Sequence, residues 1–132
     1  MDRIRAYEGA AYTIAFARQK NGRSPGAEFF DALPVSDQVK LVNLFRLLGD
    51  QGRIVNKEKF KVLEKGLFEF KSFQIRMLCA YAYAPERHLM LISHGFTKQK
   101  DRTPKAEIER AWRILGEDRE QVRLSPDKEK KR

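Results

Sequence analysis

The chain has 132 residues, 42% of them hydrophobic and 34% charged, with a formal net charge of +9 and a pI near 9.8. That length and apolar content suit one domain with a buried core and exclude a disordered chain. No apolar run is long enough to cross a bilayer, residues 1–8 lack the apolar core of a signal peptide, and the single cysteine, Cys79, excludes an internal disulfide or a cysteine-cluster metal site. A soluble cytoplasmic protein is expected.

Residues 12–18 (YTIAFAR) are rich in β-branched and aromatic side chains and predict a first strand, followed by the turn signal Asn21-Gly22. Ser24-Pro25 predicts a helix start, with a cap and a proline at the first position. Phe29, Phe30 and Leu33 give this short helix, over 26–33, an apolar stripe that Pro34 ends. A second helix over 36–48 follows, capped by Ser36 and with Asp37 in its first turn. Val39, Val42, Phe45 and Leu48 hold helical spacing along it, and Gly49 or Gly52 closes it. The two helices are expected to form a hairpin covering one side of a sheet.

Residues 53–66 read as a basic connector anchored by Phe60, Val62 and Leu63. Three strands are expected next, over 67–71, 74–84 and 87–94, with turns at Ser72-Phe73 and Ala84-Pro85-Glu86. The second and third are apolar on both faces, as central strands are. Cys79 falls within one of them, which predicts a buried, inert thiol. Thr103-Pro104 predicts the last helix, with Ile108, Ala111, Trp112 and Leu115 at core spacing and Gly116 ending or interrupting it. The fold class is α+β: an antiparallel sheet of three to four strands, an N-terminal helical hairpin and a C-terminal helix. Residues 1–124 form this single domain, and 125–132 is expected to be a charged, disordered tail.

The positive charge is segregated. Residues 24–52 carry two basic and four acidic side chains, 53–76 carry seven and three, and 98–105 carry four and one. A general solubility role would not concentrate cations around the strands. A polyanionic partner is favoured, with nucleic acid ahead of membrane because no basic amphipathic helix stands out.

Gly66-Leu-Phe-Glu-Phe-Lys71, Ile75-Arg76, the Leu-Ile-Ser-His-Gly-Phe run of 91–96, the lysines after it, Thr103-Pro104 and Ile108 with Ala111 share a joint order and spacing. In these features the chain resembles the RelE/ParE superfamily of bacterial toxins, in particular its phage-derived HigB-like branch. The resemblance spans 12–120 by element order and is dense from 60 to 112. It implies a RelE-like fold and the toxin of a type II toxin–antitoxin pair. Many such toxins cut messenger RNA in the ribosomal A site without a metal, and a cognate antitoxin with a helix-turn-helix domain silences them. The implied partners are that antitoxin, mRNA and the ribosome, with no membrane and no small-molecule cofactor. Here Lys71 stands where the branch commonly has arginine, and Lys98-Gln99-Lys100 where it has an adjacent lysine pair. No tyrosine follows Tyr83 and no histidine follows His94, so the general acid and base stay open.

Metal-free RNA cleavage needs help in deprotonating the 2′-hydroxyl, stabilising a phosphorane-like charge and protonating the leaving oxygen. The two histidines and scattered carboxylates show no metal-ligand spacing, which suits this route. Arg76, a planar cation in an apolar strand, is the first candidate for gripping the phosphate; an ion pair with Glu69 is the competing role. Lys98 is a candidate for acid–base work and His94 for titration near neutrality, against plain phosphate binding and a structural hydrogen bond respectively. Lys71, Lys100, Arg102 and Lys61 are expected to bind RNA. Phe73, Phe96, Tyr81 and Tyr83 are either base-stacking groups or core, with core favoured for Tyr81 and Trp112. Two other readings stand: a ParE-like inhibitor of DNA gyrase, and a non-catalytic basic nucleic-acid-binding or phage-remnant protein.

Overall fold

The computed structural model describes residues 3–82, 86, 88–99 and 102–123. The strands are β1 (Ile4–Glu8), β2 (Thr13–Phe16), β3 (Phe60–Glu64), β4 (Leu67–Ser72), β5 (Ile75–Tyr81) and β6 (Leu89–Thr97). The helices are α1 (Pro25–Asp31), α2 (Val35–Gln51) and α3 (Lys105–Arg123). All six strands join one sheet in the order β1-β2-β6-β5-β4-β3. Neighbours are antiparallel except β2 and β6, which run parallel with Ile14 beside Met90 and Phe16 beside Ile92.

Helices cover both faces, so the central strands must be apolar on both. Met77 and Cys79 of β5 join Phe45, Leu48, Phe70 and Ile92 in the core under α1 and α2. Leu78 points the other way and joins Leu67, Leu91, Ile114 and Leu115 under α3. Burial pushes the Cys79 thiol well above its ordinary range, so it is an inert core group. Two glycines follow from geometry. Gly52 ends α2 in the left-handed conformation (φ 82°), its N–H donating to the Leu48 carbonyl at 2.8 Å. Gly95 lies on β6 beneath α1, where a Cβ would meet the Phe29 ring at 2.4 Å. At the far end of α3 the buried Asp118 accepts from Arg3 Nη2 at 2.6 Å and from the Arg18 N–H at 2.8 Å.

The architecture corrects the sequence reading in several places. The sheet is six-stranded and mixed, not three- to four-stranded and antiparallel. β1 came from residues to which no element was assigned, and β3 from the basic connector. Both are edge strands, short and carrying exposed Ile4 or Val62 beside charged residues, so neither has the apolar run that marks a central strand. The helices at 26–33 and 36–48 exist as α1 and α2 and cover one side of the sheet as expected, but each packs mainly on the strands rather than on the other as a hairpin. They meet through the Phe30 and Phe45 rings (centroids 6.1 Å apart), while α1 packs on β6 and α2 on β1 and β4. α2 begins one residue before Ser36, after Pro34. The tight turn is Phe73-Gln74, because Ser72 already pairs with Ile75. Gly116 neither ends nor interrupts α3, which runs on to Arg123. Ala84-Pro85, Tyr83, Lys100 and the 125–132 tail lie outside the described residues. Among the described residues no helix is long and apolar enough to cross a membrane.

Candidate nucleic-acid interface

Four adjacent strands bring the cations of two distant sequence segments to one end of the sheet. Lys61 of β3 pairs with Glu69 of β4, Lys71 of β4 with Arg76 of β5, and Arg76 with Phe96 of β6. The Lys98 N–H, just past β6, donates to the Gln74 carbonyl in the β4–β5 turn at 2.7 Å. The two edges that carry the candidate residues therefore meet. Lys98 senses the crowd: its ammonium is held below the ordinary lysine range, first by desolvation, then by the positive charges of Arg76, Lys61 and Lys71, with Glu69 opposing them.

Arg76 is set deep, only 6% exposed. Its Nη1 donates to the Phe73 carbonyl at 2.6 Å and the Ile75 carbonyl at 3.0 Å, so it latches the turn. Its Nε lies 3.9 Å from Glu69 Oε2, an ion pair without a hydrogen bond. Glu69 is fully buried, and its other oxygen accepts the Thr103 hydroxyl at 2.8 Å. Thr103 is thus tied to β4, whereas the first N–H groups of α3 reach the Pro104 carbonyl. This differs from the expected threonine cap with proline at the first helical position. The ion pair weighed against a phosphate role for Arg76 is present, and it coexists with an open side: Arg76 lines a groove of about 720 Å³ between α2 and the β4–β5 hairpin.

Lys40, Lys59, Lys71 and Phe73 share that groove. Phe73 occupies the hairpin tip at φ 56°, a left-handed conformation that costs a non-glycine residue roughly 1–2 kcal/mol. Its ring is 77% exposed, and Lys40 Nζ sits 4.4 Å from the ring centroid. A second groove of about 580 Å³ lies between β3 and the start of α3, lined by Lys61, Arg102, Thr103 and Lys105 among others. Lys61 and Arg102 thus sit together, around the corner from Arg76.

His94 is elsewhere in role. It is completely buried, with Nδ1 3.0 Å from Ser93 Oγ and Nε2 2.9 Å from Glu107 Oε1. The Ser93 hydroxyl donates to the Leu78 carbonyl at 3.2 Å, so the imidazole is held at both nitrogens between Ser93 and Glu107. Desolvation holds its pKa below the usual histidine value, with the Glu107 hydrogen bond opposing and Arg110 and Arg113 adding to the depression. It fastens α3 to β6 and reaches neither groove. Lys40 and Lys59 are the site residues that sequence reasoning passed over, whereas Glu69 was named as the ion-pair partner of Arg76 and only its full burial was not foreseen. Lys59 fell in the supposed connector and Lys40 on a helix assigned to cover. The alternation of Glu69 with Phe68 and Phe70 signalled only the face it occupies.

These features define a small basic α+β domain in which an arginine and several lysines from separate strands converge beside an exposed aromatic ring. The chain belongs to the family described as "Phage derived protein Gp49-like (DUF891)", which it matches over residues 28–115, two thirds of its length. That family is associated with the toxins of RelE-type toxin–antitoxin systems. The match runs from α1 into α3 and takes in every strand of the cation cluster. No curated protein matches the chain.

Proposed function

We propose that this protein is the toxin of a type II toxin–antitoxin pair and that it cuts translated messenger RNA. The observation that carries the reading is the convergence of Arg76, Lys71 and Lys98 at one end of the sheet. In the reaction the 2′-oxygen loses its proton and attacks the adjacent phosphorus. The phosphorus–oxygen bond to the next nucleoside breaks, a 2′,3′-cyclic phosphate forms, and the departing 5′-oxygen takes up a proton. Arg76 and Lys71 offset the negative charge that accumulates on the phosphoryl oxygens. Lys98, whose ammonium is already easier to deprotonate, is the residue suited to moving a proton. Lys61 and Arg102, in the neighbouring groove, hold the strand by its phosphates. A cognate antitoxin, encoded beside the gene and carrying a helix-turn-helix domain, silences the protein in the cytoplasm.

The test is a translation reaction with purified chain and one defined mRNA, its cut sites mapped at nucleotide resolution. Specific cuts are expected. Lys98→Gln, at a half-exposed position, should slow them by roughly 10²–10⁴-fold, the usual worth of a proton-transfer group, without lowering the melting temperature. Inhibition of DNA gyrase with intact mRNA would instead identify the gyrase-directed reading. Normal growth of bacteria expressing the soluble chain alone would defeat both.

A further inference from the structure

The groove between α2 and the β4–β5 hairpin contains one group that neither the fold nor phosphate binding accounts for: the phenyl ring of Phe73. A two-residue hairpin turn calls for asparagine or glycine where φ is positive. Phenylalanine at φ 56° is among the residues least suited to it, and at 77% exposure the ring gains little from burial. The strained conformation is nonetheless held firmly. Arg76 Nη1 donates to the Phe73 carbonyl at 2.6 Å, and Lys98 secures the next residue through Gln74. Lys40 Nζ lies over the ring, 4.4 Å from its centroid, so the ring is oriented while much of its flat surface stays open to solvent. Residues kept in costly conformations by an over-determined setting mark functional sites.

We infer that Phe73 is a stacking platform for one unpaired base of a single-stranded RNA whose phosphates lie along Lys40, Lys59, Lys71 and Arg76. Charge favours this occupant over a protein: the groove is lined by those four cations and a single carboxylate, Glu58. The combination of a cationic track with an exposed ring is how single-stranded nucleic acid is held without sequence readout. The inference rests on the RNA-directed reading above and assigns the ring a positioning role, fixing one base so that the neighbouring phosphodiester lies against Arg76.

The probe is a short fluorescein-labelled 2′-O-methyl oligoribonucleotide, which cannot be cleaved, together with the same strand carrying one abasic position at each site in turn. Binding to the full chain is measured by fluorescence anisotropy at low salt. Phe73→Asn, which suits the turn, should bind the intact strand about 5- to 150-fold more weakly, the loss expected when one aromatic platform is removed. Phe73→Leu should show a similar loss, and Phe73→Tyr should bind like the unsubstituted chain. One of the abasic strands should bind the unsubstituted chain and Phe73→Asn alike. The melting temperature of Phe73→Asn should be equal or higher, which separates stacking from a structural role. Undiminished binding by Phe73→Asn, full affinity in Phe73→Leu, an equal loss on every abasic strand, or no RNA binding at low salt would each overturn the inference. Full affinity in Phe73→Leu would mark an apolar anchor for a protein partner instead. Ring-dependent binding without mRNA cleavage would remove the nuclease reading and leave this one, whereas cleavage with ring-independent binding would do the reverse.

Discussion

Arg76→Ala should destabilise the fold before it is informative about chemistry. The substitution removes two hydrogen bonds to the carbonyls of Phe73 and Ile75 and the guanidinium paired with Glu69 Oε2. The Phe73 carbonyl sits at the hairpin tip, where water can replace the guanidinium, while the bond to the Ile75 carbonyl is buried. Glu69 has no such recourse, being fully buried with only Thr103 bonded to its other oxygen. Removing one partner of a buried pair costs about 3–5 kcal/mol. With unfolding entropies near 2.1 cal/mol/K per residue, a chain of 132 residues should lose about 11–18 °C of melting temperature. The assay is thermal unfolding followed by circular dichroism, with urea titration at 25 °C as the second measure. Replacing both partners, Arg76→Met with Glu69→Leu, should recover most of the loss, since a well-packed apolar pair is commonly no worse than the ion pair. A melting temperature within about 3 °C of the unsubstituted chain for Arg76→Ala, or a double variant as unstable as the sum of the singles, would refute this account of the pair. Activity lost in Arg76→Ala therefore has to be read against its folded fraction, and Lys98→Gln is the cleaner probe of the reaction.

Two further outcomes follow from the geometry. Because the folded state disfavours protonated His94, the unfolded chain binds more protons on the acid side, so stability is full above the unfolded value near 6.5 and is lost as pH falls from there through the lower folded value. His94→Gln should remove that component, seen as a flatter stability profile as pH falls below about 6.5 than the unsubstituted chain shows; parallel profiles would contradict the burial of an uncharged ring. Gly95→Ala should cost about 1–3 kcal/mol in urea titrations, because the added methyl needs space held by the Phe29 ring at 2.4 Å, and no loss would mean that α1 can shift freely on β6.

Much of the sheet's centre was legible because its side chains declare both faces at once. Residues 77–81 and 89–92 are apolar at odd and even positions, the pattern of a strand covered on both faces. The edges were not legible, since Phe60 and Val62 alternate with lysines in a pattern shared by ordinary loops. The parallel pairing of β2 with β6 joins residues more than seventy positions apart, and no local pattern encodes it. For the site, residue type identified the cations, and pairing register decided their company. Arg76 and Lys71 were neighbours across a turn in sequence, but Lys61 and Lys98 joined them only through β3 and β6. His94 shows the opposite limit. Its position after an apolar run marked a strand, and the depth of that strand beneath α3 was a matter of tertiary packing.

The parallel β2–β6 pairing also sets an order of events during synthesis. β2 leaves the ribosome early, yet one of its two neighbours is β6, the last strand made, and closing a loop of that length is entropically slow. Until β6 emerges, β2 has only β1 beside it, and Lys98 has not reached the turn that holds Phe73 and Arg76. The cation cluster is consequently among the last features to be completed. Truncation anywhere before residue 98 removes Lys98 and its hold on the turn, leaving at most the cations that β3, β4 and β5 bring together.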